Sequence, residues 1–194
     1  MLNNSFIFLY FFIIFITIFV SIFFIPVLDN NSNINFKNNS SFIITSSNFL
    51  WPTPGYTTIT SYFGKRTAPT TGASTYHSGI DIAAPTGSNL IAVIDGTISY
   101  LGFNGAGGYT ITLKNQNFTI SYCHVSPDFI VGIDEYVLKG QKIGTVGPLN
   151  VYSVANNPYK DKYGNPTNGA TTGPHLHLTI KKDGKAVNPL NYIK

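Results

Sequence analysis

The chain has few charged residues, few histidines and a single cysteine. Of its 194 residues, 10% are charged and four are histidine. With Cys123 as the only cysteine, no intrachain disulfide can form, which excludes a disulfide-stabilised scaffold. The basic residues are scattered and give a net charge of +4 without a clustered stripe, which argues against nucleic-acid binding. Signals for helices are almost absent after residue 30.

The absence of charge is concentrated at the N-terminal end. Residues 1–28 contain no Asp, Glu, Lys or Arg and are dominated by Phe and Ile. The apolar run over residues 6–28 can cross a bilayer core of about 30 Å, which needs about 20 apolar residues in a helix. The alternative is a cleaved signal peptide, but the run is longer than its usual apolar region and no A-x-A-like site follows. We therefore predict a retained, single-pass transmembrane helix over residues 1–28.

After residue 28 the composition predicts a linker and one domain. Residues 29–50 are rich in Asn and Ser and are predicted to be the linker. Over residues 51–194, short β-rich segments such as TTITSYFG, YTITLKN and HLHLTIKKDG are separated by Gly, Pro and Asn. They predict an all-β domain of about 140 residues, enough to bury one core, with turns around residues 115–117 and within KKDGK. Residues 148–170 break this pattern and predict a long, partly ordered loop.

The motif HLH places two of the four histidines one residue apart. In a β-strand, His175 and His177 point to the same face about 6.6 Å apart, a separation that suits two imidazoles converging on one small site. Leu176, Leu178 and Ile180 fall on the opposite face, which we expect to be buried. The same pattern also occurs by chance on solvent-exposed faces of strands, so the motif alone does not establish a metal site.

A second cluster, YHSGIDIAAPTGS, contains His77 and Asp81. Gly79 and the β-branched residues around it make a helix improbable. In an extended chain the two Cα atoms would be about 13 Å apart. Both side chains can reach one ion only if the chain bends, and Gly79 is where a bend costs least. The alternative is a surface aspartate beside an unrelated histidine.

The third histidine context is SYCHVS. If it is a strand, adjacent side chains point to opposite faces, so Cys123 and His124 cannot share a site. We expect Cys123 to pack in the core as a small hydrophobic residue. By the same parity, His124 is expected to share a face with Tyr122 and Ser126.

Imidazole and carboxylate groups suit a zinc ion. A catalytic zinc commonly keeps three protein ligands and leaves the fourth position to water, whose pKa falls to about 7 in favourable sites. Four histidines and one aspartate are more than three ligands. Some of them must therefore carry protons or stabilise an oxyanion, and the residues alone do not say which.

Together these segments resemble the lysostaphin/LytM-type zinc metallopeptidases, which are peptidoglycan endopeptidases. The resemblance is carried by HSGIDIAAPTGS, SYCHVS and TGPHLHLTI in that order, with support from SYFGKR, VLKGQKIGTVG and KAVNPLNYI. It covers the chain from about residue 51 to the end. Cys123 and Val125 depart from the small and Leu residues commoner in the family, and residues 148–170 are longer than the usual connection.

The resemblance implies a compact antiparallel β-sheet or sandwich with a substrate groove across one face. It implies that His77, Asp81 and His177 bind Zn²⁺. It further implies that His124 and His175 are a catalytic pair that polarises water and stabilises the tetrahedral intermediate of peptide hydrolysis. The implied substrates are peptides of bacterial peptidoglycan, either glycine-rich bridges or stem-peptide cross-links.

Because that substrate lies outside the cytoplasmic membrane, we expect an enzyme anchored in the cell membrane with residues 30–194 on the extracellular side. Lys37, the first basic residue, lies C-terminal to the apolar run and mildly opposes this orientation. Some members of the family are scaffolds or activators of other hydrolases. A scaffold with a protein partner at the cell envelope and little or no catalysis is therefore the alternative function.

Overall fold

Residues 49–194, which are the residues that the computed structural model describes, form twelve short strands and two 3-10 helices. The strands are β1 (Ile59–Ser61), β2 (Gly64–Lys65), β3 (Tyr76–His77), β4 (Ile80–Ala83), β5 (Asn89–Ile91), β6 (Gly96–Phe103), β7 (Tyr109–Asn115), β8 (Phe118–Cys123), β9 (Tyr136–Val137), β10 (Lys142–Thr145), β11 (His175–Lys182) and β12 (Lys185–Val187). The 3-10 helices are Gly105–Gly107 and Pro189–Asn191. The prediction of an all-β fold is confirmed over this part of the chain.

Eight of the strands form one antiparallel sheet. Its order is β1-β4-β11-β8-β7-β6-β9, and β12 also pairs with β11. Two separate two-stranded pairs, β10-β5 and β2-β3, complete the strand pairing of the described residues. All of these pairings are antiparallel, as predicted. Strand β11 lies between β4 and β8, so its side chains meet those of both neighbours.

The faces of β11 differ in burial as its alternation predicts. Leu176, Leu178 and Ile180 are fully buried and belong to the hydrophobic core. Across the sheet, Leu178 pairs with Ile80 on one side and with Tyr122 on the other, and both partners are also fully buried. Burying each such aliphatic side chain contributes about 1.5–3 kcal/mol. This face therefore holds β4, β11 and β8 in register, while the other face remains available for polar side chains.

Two tight hairpins fix the ends of the central strands. The β7–β8 connection leaves Gln116 and Asn117 between paired residues, and the β11–β12 connection leaves Asp183 and Gly184. Asp183 and Gly184 both have positive φ, 50° and 77°, as a two-residue type I′ turn requires. Both turns lie where the sequence predicts them.

The predicted transmembrane helix, residues 1–28, and residues 29–48 of the predicted linker lie outside the described residues. Within residues 49–194, no helix has the length and apolar character needed to cross a membrane. Phe49, which lies in the predicted linker, is 1% exposed and forms a bridge with Ile193. The next residue, Leu50, donates its N–H to the Val93 carbonyl. The folded part of the chain therefore includes Phe49.

The long loop over residues 148–170 is ordered by its own polar side chains. Bridges join Asn150 to Thr167 and Lys160 to Pro166. The buried Asn157 amide donates to the Thr167 carbonyl at 2.7 Å. These contacts fold the loop back on itself, so that its C-terminal end meets the polar face of the sheet.

Candidate metal centre

A bend between β3 and β4 brings His77 towards Asp81. His77 ends β3, Asp81 lies in β4, and Ser78 and Gly79 form the bend between them. A Cβ at Gly79 would overlap the carbonyl group of Leu178 in β11. Conformational freedom favours a glycine at position 79 in the sequence, and the structure adds a steric reason. Only a glycine lets the bend lie against β11.

Strand register then brings His177 to the same point. Asp81 and His177 are direct partners across β4 and β11, so both side chains lie on one face of the sheet. Oδ1 of Asp81 lies 3.1 Å from Nε2 of His77 and 2.8 Å from Nδ1 of His177. The two ring nitrogens are themselves 2.8 Å apart. The sequence-predicted ligands are thus brought together from strands that are 100 residues apart along the chain.

These three atoms fit a small cation. Among the described residues they form a single group of His and Asp ligand atoms that all lie within 4.8 Å of one another. A tetrahedral ion with bonds of about 2.0–2.1 Å separates its ligand atoms by about 3.3 Å. The distances of 2.8–3.1 Å are slightly shorter and match a site of this size. Two imidazole nitrogens and one carboxylate oxygen are also a donor set that zinc accepts.

Hydrogen bonds on the outer side of the two rings select the tautomers that a metal needs. Nδ1 of His77 donates to the Tyr62 carbonyl at 2.9 Å, which leaves a lone pair on Nε2. Nε2 of His177 lies 2.9 Å from the Thr179 hydroxyl, which leaves Nδ1 as the inward-facing nitrogen. Partners of this kind orient ligating histidines and raise their basicity.

The electrostatics of the cluster favour an ionised Asp81 beside a neutral His177. Burial would raise the pKa of Asp81, but its close contacts with His175, His177 and His77 outweigh burial and hold its pKa far below the usual range. Burial lowers the pKa of His177, although the neighbouring Asp81 partly opposes this. A carboxylate with neutral imidazoles is the protonation state that can bind a divalent cation.

The other two predicted site residues lie beside this cluster. His175 opens β11, and its Nδ1 donates to the Gly173 carbonyl at 2.9 Å, while its Nε2 lies 3.5 Å from Oδ1 of Asp81. The rings of His124 and His175 have centroids 4.7 Å apart. Nδ1 of His124 donates to the Asn168 carbonyl at 2.6 Å, so Nε2 carries its lone pair. All five predicted residues therefore meet at one place.

The parity argument for SYCHVS is wrong. Strand β8 ends at Cys123, and His124 adopts a positive φ of 60°, which interrupts the alternation of side chains. Tyr122 lies in the core, where its hydroxyl accepts the Val93 N–H. Cys123 pairs with His177 across the sheet and shares its face, and both Cys123 and His124 border one cavity.

Cys123 nevertheless remains a poor nucleophile. It is 7% exposed, and burial raises the pKa of its thiol to about 11. The reactive form of cysteine is the thiolate, which this environment disfavours. The expectation that Cys123 packs as a small buried residue is confirmed, although its side chain lies on the polar face of the sheet.

Arg66 and Asn168 also contact the site, although neither is among the site residues predicted from the sequence. Nη1 of Arg66 lies 3.0 Å from Oδ2 of Asp81. Asn168, which is fully buried, accepts the Tyr109 N–H and donates to the Val125 carbonyl, besides fixing His124 through its own carbonyl. Arg66 is the only arginine of the chain, which is a signal in the sequence. No comparable signal marks Asn168 among many asparagines.

Two cavities flank the cluster. One, of about 480 Å³, extends past His175 along residues 170–174. The other, of about 270 Å³, extends past Cys123 towards residues 104–107. Both are bordered by Arg66, His124, Ala170 and His177. A chain-like ligand can therefore be accommodated on either side of the three ligand atoms.

Comparisons with known proteins agree with this chemistry. Residues 75–159 match the family described as Peptidase family M23. The chain is 32% identical over 137 residues to the DD-carboxypeptidase/endopeptidase Mpg of Neisseria meningitidis serogroup B. This alignment covers 70% of this chain and 27% of the relative. It is 31% identical over 150 residues to the murein hydrolase activator NlpD of Escherichia coli, which covers 76% of this chain and 31% of the relative. The chain thus spans less than a third of the length of these relatives.

A solved structure extends the likeness to the fold. The structure of a zinc-containing peptidase from Vibrio cholerae superposes with a TM-score of 0.55 at 26% identity. The superposition covers 74% of this chain and 38% of that one.

Proposed function

Because the chain belongs to peptidase family M23, as the resemblance to the lysostaphin/LytM-type enzymes predicts, we propose that it is a zinc-dependent endopeptidase that hydrolyses peptide bonds of bacterial peptidoglycan. The observation that carries this proposal is the convergence of three ligand atoms, from His77, Asp81 and His177, within 4.8 Å of one another. Two further imidazoles lie beside them. A purely structural aspartate would need neither four histidines around it nor adjacent cavities.

In this proposal the residues have two separate tasks. Nε2 of His77, Oδ1 of Asp81 and Nδ1 of His177 would hold the zinc ion, which when bound supplies Lewis-acid activation of water and of a substrate carbonyl. His124 and His175 each present Nε2, because their Nδ1 atoms donate to backbone carbonyls. From these positions they can accept a proton during attack and return it to the leaving amine.

Burial keeps the His124 ring neutral. Burial first, and the neighbouring His175 and His177 second, lower its pKa to about 3, while the Asn168 carbonyl opposes the shift. The ring is therefore neutral at physiological pH. A neutral imidazole whose Nε2 faces the substrate can act as a base or a hydrogen-bond acceptor.

The substrate is proposed from the names of the relatives together with the shape of the site. Mpg is described as a DD-carboxypeptidase/endopeptidase and NlpD as a murein hydrolase activator. The two cavities leave room for peptide on both sides of the ligand atoms, which suits cleavage within a peptide rather than at its end. A cross-link or bridge of peptidoglycan meets this requirement.

A second candidate function is activation of another wall hydrolase without catalysis. The 31% identity to NlpD, which is named as an activator, favours it. The presence of His77, Asp81, His124, His175 and His177 in one cluster favours catalysis instead. In an activator, His124→Ala would leave the cellular role unchanged. In a peptidase it would abolish that role.

The decisive experiment is digestion of purified cell walls by the full-length, detergent-solubilised protein. Walls of differing cross-link chemistry would be incubated with protein that is metal-free, zinc-loaded, or zinc-loaded and then treated with a chelator. The expected result is release of new peptide amines in the zinc-loaded sample alone, with mass analysis identifying the bond. His124→Ala is the matched control. Zinc-loaded protein that releases no amine from any wall type would contradict the proposal.

We also propose that residues 1–28 anchor the protein in the cell membrane and that the domain lies on the extracellular side. The support is the uncharged apolar run and the position of the proposed substrate. N-terminal sequencing of the mature protein tests retention of the anchor, and protease accessibility in intact cells tests the orientation. A mature protein that starts near residue 30 would contradict the anchor.

A further inference from the structure

The only arginine of the chain lies at the candidate metal centre. The sequence contains eleven lysines, all at other positions, so Arg66 stands apart from every other basic residue. It directly follows β2, and its backbone N–H is fixed by a 2.9 Å hydrogen bond to the Thr75 carbonyl. Its side chain is 20% exposed and borders both cavities. Arginine and lysine are not interchangeable where a planar group must contact a carboxylate.

Arg66 contacts the side of Asp81 that faces away from the histidines. Nη1 of Arg66 lies 3.0 Å from Oδ2 of Asp81, whereas Oδ1 faces His77 and His177. The same Nη1 donates to the Ser61 hydroxyl at 2.6 Å. That hydroxyl lies 3.2 Å from Nδ1 of His77. One nitrogen of Arg66 is therefore connected to two of the three proposed ligands.

The orientation of Arg66 does not serve its own hydrogen bonding. Its Nε is buried and has no partner among residues 49–194. A buried N–H without a partner is costly, so other contacts must hold the side chain there. Those contacts are the ones to Asp81 and Ser61. The position of the guanidinium is therefore determined by its contact with the Asp81 carboxylate.

A carboxylate held by one oxygen presents the other in a defined direction. Free to rotate, Asp81 could offer either oxygen, or both, to an ion. With Oδ2 engaged by a charged donor, Oδ1 remains as the single inward-facing ligand atom. The positive charge of Arg66 also repels a divalent cation. The net effect of Arg66 on zinc affinity is therefore the difference between this repulsion and the gain from orienting Asp81, and it can be measured.

We propose that Arg66 is a positioning residue for the metal centre. It holds Asp81 through Oδ2 and His77 through Ser61, so that Oδ1 and Nε2 are arranged before the ion binds. The inference rests on the proposed function only in taking zinc as the ion. Preorganisation outweighs repulsion in this arrangement, and removal of the guanidinium therefore weakens zinc binding.

The test compares Arg66→Met with Lys65→Met in the full-length protein. Lys65 is the adjacent residue in the chain and is exposed, so its substitution removes the same charge without altering the contacts of Asp81. Zinc affinity would be measured by competition with a chromogenic chelator. Loss of a partner that orients a metal ligand typically weakens metal affinity about 10–100-fold, and we expect a loss of this size for Arg66→Met. Lys65→Met should bind like the wild type.

Two further variants separate positioning from a general structural effect. Ser61→Ala removes the contact that connects Arg66 to His77 but leaves the Arg66–Asp81 pair, so it should weaken zinc binding less than Arg66→Met does. Arg66→Lys restores the charge on a shorter side chain and should give an intermediate affinity. The melting temperature of each metal-free variant monitors the fold. If Arg66→Met does not fold, the zinc affinity of Arg66→Lys tests the inference in its place.

An affinity of folded Arg66→Met equal to or tighter than that of the wild type would overturn the inference, as would equal losses in Arg66→Met and Lys65→Met. Where Arg66→Lys decides, an unchanged affinity overturns it. The measurement involves no substrate, so it separates this inference from the proposed function. A wild-type protein that binds zinc but digests no wall would contradict the proposed function alone. A wild-type protein that binds no zinc would contradict both.

Discussion

The three proposed zinc ligands and His124 are held by different kinds of backbone. His77, Asp81 and His177 lie on paired strands, and the last two are direct partners across β4 and β11. His124 follows the end of β8 with a φ of 60°, and its ring is fixed by the Asn168 carbonyl at the end of the long loop. The three ligands are thus held by strands and by the bend before β4, whereas His124 is held by irregular structure. His175, the other member of the proposed catalytic pair, lies on β11 as His177 does.

This difference shows which residues of the site cannot move without disrupting the hydrophobic core. A slip of one residue in β11 would turn every side chain to the opposite face and expose the core, so the core protects the position of His177. No such constraint applies to the loop that holds His124. The positions of Asp81 and His177 therefore follow from the sheet, whereas the orientation of His124 depends on residues 167–169 and their neighbours.

The largest expected effect tests whether the strand-borne group alone holds the ion. We expect Asp81→Ala and His177→Ala to lose bound zinc and all hydrolysis, because two remaining ligands do not retain an ion. Elemental analysis after dialysis, combined with wall digestion, measures both quantities. His124→Ala is the matched control, since it removes an imidazole from the same site. Stoichiometric zinc in Asp81→Ala would remove Asp81 from the ligand group.

The next effect tests whether His124 and His175 act in catalysis without binding the metal. His124→Ala and His175→Ala should keep zinc, while the rate of hydrolysis should fall about 10²–10⁴-fold, as for loss of a positioned acid or base. Steady-state kinetics on a purified wall peptide should place the loss in kcat rather than in KM. If His124→Ala lost its zinc, the distinction between the two groups would fail.

A third prediction concerns the loop residue that fixes His124. Asn168→Ala leaves the Tyr109 N–H and the Val125 carbonyl without their buried partners, so we expect the free energy of unfolding to fall by about 2–4 kcal/mol. Denaturant unfolding of the metal-free protein measures this. Asn191→Ala, at an exposed position, should change stability by less than about 0.5 kcal/mol. Zinc affinity should be unchanged in both variants, and a loss in Asn168→Ala would mean that the loop also supports the ligands.

The smallest effect is the pH dependence that His124 gives to the metal-free protein. Its folded pKa is about 3, against an ordinary value of 6.5, because of burial first and the neighbouring histidines second. Between these values the unfolded chain binds a proton that the folded chain does not, so this contribution is present above pH 6.5 and is lost as the pH falls towards 3. From pH 7 to pH 6 the expected loss is about 0.7 kcal/mol.

Denaturant unfolding at a series of pH values, in the presence of a chelator, measures this slope. His124→Gln should flatten it, because glutamine does not titrate. An equal slope in the wild type and in His124→Gln would assign the pH dependence to other groups, among them His177 and Asp81. It would also show that His124 is more accessible to protons than its burial indicates.

The regular half of the molecule could be predicted from the sequence. The alternation in HLHLTI gives the buried and polar faces of β11, because side chains alternate by necessity in a strand. The dipeptide Asp183-Gly184 gives its hairpin, because both residues tolerate positive φ. The shared location of His77 and Asp81 follows from the bend at Gly79, although the steric reason for that glycine lies in β11, about 100 residues away.

The irregular half could not be predicted from local pattern. The positive φ of His124 is stabilised by distant partners, since its N–H donates to Gly107 and its ring to Asn168. Gly108 and Gly147 approach Asn168 so closely that a Cβ on either would overlap it. The long loop is ordered by buried asparagines such as Asn157 rather than by its aromatic residues, since Tyr152 is 72% exposed. Such contacts depend on the tertiary fold.

The contrast within the long loop has a practical consequence for protein engineering. Residues 152–156 are mostly exposed, whereas Thr167 and Asn168 are buried against the sheet. Exposed segments of this kind tolerate insertions. Foreign peptides or randomised libraries could therefore be introduced at the outer end of the loop, while its inner end, which holds His124, is left untouched. The domain could carry such insertions without redesign of its scaffold.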